Sequence, residues 1–188
     1  MLTSLVDDRY TDKNTIHSYL PLYDELFASR KERARAVLEV GVYHGGSITL
    51  WHQYFSNAVV MGVDITVEAP PLFSNLQQWP RVQLLLGVDA YTAETITKIG
   101  TICGKLDVVL DDGPHTLESM RAFIQLYLPL IADDGILVIE DVQDFTWFKE
   151  LCSFVPADLQ AAIQMYDRRS LKGRYDDMVF VVNKALLK

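Results

Sequence analysis

Ala36-Val37-Leu38-Glu39-Val40-Gly41-Val42-Tyr43-His44-Gly45-Gly46-Ser47 is the stretch that decides the fold. Its first five residues form a mostly apolar run too short for a core helix. Gly41 then permits a tight turn, and Gly45-Gly46 open the next helix while letting a ligand approach the backbone. Outward from it the pattern repeats. Val59–Val63, Val82–Leu86, Leu106–Leu110 and Gly135–Ile139 read as further strands. Between them Ser47–Phe55, Pro71–Trp79, Tyr91–Ile99 and Leu117–Ile131 read as helices, and Tyr19–Ser29 as an initial one. Strands that are continuously apolar rather than alternating are buried on both faces, as in a parallel sheet between helices. The fold class is therefore α/β, doubly wound and Rossmann-like. After the fifth strand, Leu159–Met165 and Met178–Val182 are joined only by the polar stretch Asp167–Asp177. With no helix between them they are expected to form an antiparallel pair at one sheet edge.

The 188 residues fit a single domain, with residues 1–35 as an N-terminal helical segment contributing to the site. Half the chain is hydrophobic (49%) and the formal net charge is −8, which disfavours binding to nucleic acid or to an anionic membrane. Two cysteines without a C-x-x-C spacing argue against a disulfide scaffold or a zinc site. The first residues carry acids where a signal peptide is apolar, and no apolar run reaches the length of a membrane span. The expected setting is the cytoplasm.

In a doubly wound sheet, ligands bind beyond the carboxyl ends of the strands. Here those ends are acidic. Tyr43 replaces the second glycine of a dinucleotide fingerprint, and Glu39 would repel a phosphate yet can hold an ammonium group. Asp64 closes the second strand 64 − 41 = 23 residues past Gly41, the place of a carboxylate that accepts from a ribose diol. Asp89, after the third strand, suits an adenine amino group or a helix cap. The fourth strand ends in Asp111-Asp112-Gly113-Pro114-His115 and the fifth in Glu140-Asp141. Carboxylates converging from neighbouring strands repel unless protonated or bridged by a cation, and hard oxygen donors suit Mg²⁺, Ca²⁺ or Mn²⁺. The alternative is a solvated acidic rim in which Asp111 binds a backbone N–H and Glu140-Asp141 cap a helix. His115 in these surroundings is a candidate general base, with Asp111 next in line. His17, His44 and His52 have weaker contexts, and Trp147 and Phe148 read as core or lid residues.

These motifs resemble class I S-adenosylmethionine-dependent methyltransferases, most nearly the macrocin, mycinamicin and rhamnosyl sugar O-methyltransferases. Tyr10-Thr11-Asp12-Lys13, His17-Ser18-Tyr19, Tyr23 and Arg174-Tyr175-Asp176-Asp177 are similar to that group's segments too. The resemblance implies a seven-stranded sheet with an antiparallel last strand, and methyl transfer to a sugar hydroxyl such as that of rhamnose or another deoxyhexose. It implies S-adenosylmethionine on Glu39, Gly41, Tyr43, Gly45, Ser47, Asp64, Ile65, Asp89, Ala90 and Asp111. It also implies Mg²⁺ or another divalent cation on Asp112, Glu140 and Asp141, with His115 as base. The partner is a small-molecule or glycan acceptor, and a homo-oligomer is left open. Because others of the group are labelled cephalosporin hydroxylases, the resemblance alone does not fix the reaction. A nicotinamide-dependent oxidoreductase and an inactive S-adenosylmethionine-binding module are the alternatives.

Overall fold

A computed structural model describes residues 1–188. The strands are β1 (Ala36–Val40), β2 (Val59–Asp64), β3 (Val82–Leu86), β4 (Leu106–Asp111), β5 (Ile131–Ile139), β6 (Ile163–Asp167) and β7 (Met178–Asn183). The helices are α1 (Tyr19–Phe27), α2 (Gly46–Tyr54), α3 (Ala93–Cys103), α4 (Leu117–Tyr127), α5 (Trp147–Phe154) and the single turn α6 (Arg169–Lys172). One seven-stranded sheet runs in the order β3-β2-β1-β4-β5-β7-β6. The first five strands pair in parallel, and β7 lies antiparallel to both β5 and β6. The seven-stranded sheet with an antiparallel C-terminal pair is as the sequence predicts.

Side chains alternate across the sheet, so each strand feeds two cores. Val37, Val60, Val108, Leu110 and Val138 pack under α1 and α2, around Tyr23, Phe27 and Trp51. Leu38, Met61, Val109, Leu137 and Ile139 pack under α3, α4 and α5, around Phe123, Tyr127 and Leu151. The strand order reverses between β1 and β4, whose chains leave for α2 on one face of the sheet and α4 on the other, and a crevice lies beyond their carboxyl ends. No helix is long and apolar enough to cross a membrane.

Several segments differ from the expectation: the helix read over Leu117–Ile131 stops at Tyr127 and Ile131 already opens β5, and the Asp167–Asp177 link carries the single turn α6. Pro71–Trp79 is not one helix but two short 3₁₀ turns, Pro71–Phe73 and Leu76–Gln78. Asn75 separates them by capping the second turn through Gln77 N, an Asx arrangement that competes with continuing a helix. Gln160 and its neighbours form a 3₁₀ stretch, so the sixth strand starts at Ile163 rather than Leu159.

Candidate active site

The glycine turn after β1 is fixed by the turn after β4. Gly41 has φ +91°, and a Cβ there would lie 2.0 Å from the Asp112 carbonyl oxygen. Only glycine lets the two strand ends approach this closely. Gly45, at φ +83°, then starts α2. From β2, Asp64 ties the turn down: its Oδ2 accepts from Val42 N (2.7 Å) and Tyr43 N (3.3 Å), and its Oδ1 from Thr66 N (2.8 Å). Partial burial opposes ionisation of Asp64, but these N–H groups outweigh it and hold the carboxyl below its ordinary range.

A cavity of about 800 Å³ opens at this crevice, a size suited to a cofactor. Among its walls are Gly41, Tyr43, Asp64, Ile65, Asp89, Ala90 and Asp112. Gly45 and Ser47 are buried in the start of α2 and do not line it. Asp89 faces it while accepting from Tyr91 N (2.8 Å); the cap of α3 is Thr92, which accepts from Thr95 N.

Asp111 also lies off the cavity wall. It is buried and accepts from Tyr91 Oη at 2.5 Å. Burial pushes its pKa up to about 7, against the Tyr91 hydrogen bond and the nearby His115. Glu39 is likewise off the wall, and fully buried. The ammonium it holds is that of Lys13, 3.2 Å from Oε1, while its Oε2 accepts from Trp51 Nε1 at 3.1 Å.

Beside the cavity the acidic residues meet in two groups. In the outer group, His115 Nε2 stands 3.7 Å from Asp112 Oδ1 and 3.6 Å from Asp141 Oδ2. One ligand atom from each of Asp112, His115 and Asp141 lies within 4.8 Å of the other two. Of these, the carboxylate oxygens of Asp112 and Asp141 suit a hard divalent cation, with the His115 imidazole beside them. His115 and Asp141 both hold left-handed backbone, φ +55° and +53°, where non-glycine residues are strained. Such strain is retained where the side chain's direction matters.

In the inner group, Glu140 accepts from Tyr23 Oη (2.6 Å) and from Lys13 Nζ (2.5 Å), and Lys13 also bonds Asp112 Oδ2 (2.7 Å). The sequence reading supplied a metal as the charge that lets these carboxylates converge; part of that charge is Lys13. Burial alone would push the ammonium down, but Asp112, Glu140 and Glu39 outweigh it and hold its pKa well above the ordinary value. Burial pushes Glu140 up, against that same ammonium, because one cation cannot offset three carboxylates. Asp141 too is raised by burial and by the charge of Asp112. It is held by Tyr19 Oη and has His17 Nδ1 at 3.3 Å.

Lys13, His17, Tyr19 and Tyr23 thus reach the cluster from the segment before α1 and from α1 itself. Lys13 was not singled out for chemistry in the sequence. A lysine in a polar loop reads as solvated, and its burial depends on contacts 99 and 127 residues away. The only signal was its place in the segment similar to sugar O-methyltransferases.

A parallel sheet reversed between β1 and β4, closed by an antiparallel β7 and carrying a cavity at the reversal, has the Rossmann-like methyltransferase architecture. The chain belongs to the methyltransferase domain family, whose sequence profile matches residues 38–142. It is 30% identical over 144 residues to the 8-demethyl-8-alpha-L-rhamnosyl tetracenomycin-C 2'-O-methyltransferase of Streptomyces olivaceus, covering 73% of this chain and 36% of that protein. It is 29% identical over 154 residues to the mycinamicin VI 2''-O-methyltransferase of Micromonospora griseorubida, covering 78% and 37%. The chain therefore spans about a third of the length of the curated relatives it matches. In structure it is similar to the MycE methyltransferase of the mycinamycin pathway, solved with Mg and SAH: TM-score 0.71 and 24% identity, over 97% of this chain and 54% of that one.

Proposed function

We propose that the chain transfers a methyl group from S-adenosylmethionine to a sugar hydroxyl of a small-molecule or glycan acceptor, with a divalent cation at the acidic cluster. The observation that carries this reading is the position of Asp112. Asp112 lines the cavity of about 800 Å³ and its carboxylate joins the cluster with His115 and Asp141, which supports cofactor and acceptor sites that share an edge. The names of the curated relatives, O-methyltransferases of rhamnosyl and mycinamicin compounds, support a sugar hydroxyl as acceptor. Mg and SAH in the MycE structure support the two cofactors.

When bound, S-adenosylmethionine supplies an activated methyl group, and a divalent cation lowers the pKa of a chelated hydroxyl. The chain's own groups do the rest. Asp64, already ionised and oriented by three backbone N–H groups, keeps free lone pairs for a ribose diol. Asp89 and Ala90 border the same cavity and are the residues expected near an adenine. Asp112 and Asp141 offer carboxylate oxygens to the cation, whereas both oxygens of Glu140, the third ligand expected from the sequence, are engaged by Tyr23 and Lys13. His115 Nε2, between two of these carboxylates, takes the acceptor proton and is stabilised as imidazolium by them. Glu39 and Asp111 act from beneath the site, through Lys13 and Tyr91.

Calorimetric titration with S-adenosylmethionine, its demethylated product and NAD tests the cofactor. Binding of the first two with NAD silent is expected. Binding of NAD alone would instead favour an oxidoreductase.

A further inference from the structure

Lys13 is 1% exposed at its side chain and meets carboxylates from three separate strand ends: Glu39 at 3.2 Å, Asp112 at 2.7 Å and Glu140 at 2.5 Å. Withdrawing an ammonium from water costs several kcal/mol, so this position is tenable only because the carboxylates surround it. The dependence runs the other way as well. Glu39 and Glu140 are 0% and 2% exposed at their side chains, and Lys13 is the cation they touch. Trp51 and Tyr23 give them hydrogen bonds but no charge. Oε1 of Glu39 makes no hydrogen bond and has the Lys13 ammonium 3.2 Å away. Asp112 joins the two groups: its Oδ2 is taken by Lys13 and its Oδ1 faces His115 and the open side.

We infer that Lys13 is a positioning residue, the internal counter-cation of the acidic cluster. It holds Glu39, Asp112 and Glu140 assembled with or without a bound divalent ion, and its charge weakens the cluster's grip on that ion. The carboxylates are thus preorganised, and the metal need not provide the energy that gathers them. The inference rests on the divalent-cation reading above, and its test separates the two.

The experiment compares wild type, Lys13→Met and the charge-balanced double variant Lys13→Met/Glu140→Gln. Thermal melting is recorded in EDTA and in Mg²⁺, and Mn²⁺ binding to wild type and Lys13→Met is measured by calorimetry. Lys13→Met should melt well below wild type in EDTA and regain much of the difference in Mg²⁺. It should bind Mn²⁺ at least about tenfold tighter, since one unit of nearby repulsion is gone. The double variant should recover stability in EDTA, because one buried carboxylate leaves with the lysine. Equal losses with and without Mg²⁺, and no recovery in the double variant, would mean that Lys13 only pins its segment. If Lys13→Met fails to fold, the double variant decides: folding in EDTA supports the inference, and failure overturns it. Wild type that binds no Mn²⁺ would sink the metal reading and the weakened grip, while the EDTA comparison would still judge the counter-cation.

Discussion

His115 stands at φ +55°, an αL position that costs a non-glycine residue about 1–2 kcal/mol. The chain keeps that strain and gains an imidazole 3.6 and 3.7 Å from two carboxylates. His115→Ala is expected to lower kcat by about 10²–10⁴-fold, the usual contribution of a general base, with S-adenosylmethionine affinity nearly unchanged. His115→Gly should be equally inactive yet melt higher than the alanine variant, because glycine relieves the backbone. Steady-state kinetics and melting curves check both; an active His115→Gly would remove the residue from the chemistry. Asp64 has a different signature. Asp64→Ala should weaken S-adenosylmethionine binding by about 2–4 kcal/mol, the loss of two hydrogen bonds to a carboxylate. Unchanged affinity by calorimetry would move the cofactor elsewhere.

Elements differ in how far their sequence announces them. The strand cores were legible because each is a short apolar run with a polar or glycine terminus, and β3 spans Val82–Leu86 as read. The paired part of β5 was legible too. Its first residues were not, because the register shifts between Leu106 and Val108 and leaves Ala132–Gly135 bulged. Leu72, Phe73, Leu76 and Trp79 carry helical spacing, yet Trp79 Nε1 turns back to Leu72 O and the segment folds as turns. Local hydrogen bonding there overrides periodicity. The acidic ends of β4 and β5 were visible as candidates because carboxylates after an apolar run have no local structural reason. Lys13 and His17 were not, since their burial arises only when residues 10–18 fold across those ends. Element α4 starts at Leu117, two residues past His115, with Thr116 and Ser119 forming a reciprocal cap. Thr116→Ala should cost about 1 kcal/mol, read by urea melts. No loss would mean that the cap is replaced by water.

At the scale of the molecule, a chain of net charge −8 concentrates buried acids in one place. Asp111 sits at about 7 against an ordinary 3.8, raised first by burial, and Glu39, Glu140 and Asp141 are raised in the same direction for the same reason. A carboxyl with a raised pKa binds more protons folded than unfolded between those two values. Its stabilising effect is therefore full below the unfolded pKa and is lost as pH rises through the folded one. In EDTA the protein should thus lose stability as pH rises from about 4 to about 7. Asp111→Asn should flatten that slope in a melting series. A slope of the opposite sign would show that Asp111 is held ionised in the fold.

The claim that joins cavity, acidic cluster and His115 is methyl transfer to a sugar hydroxyl. Its most direct test incubates the protein with S-adenosylmethionine labelled in its methyl group and a panel of deoxyhexose glycosides, in Mg²⁺ and in excess EDTA. Label is expected in an acid-stable sugar ether in Mg²⁺, none in EDTA, and at least about a hundredfold less with His115→Ala. Label carried to a sugar at full rate in EDTA would contradict the metal's part. If the panel stayed unlabelled while the protein bound both S-adenosylmethionine and Mg²⁺, the sugar hydroxyl would be the wrong acceptor.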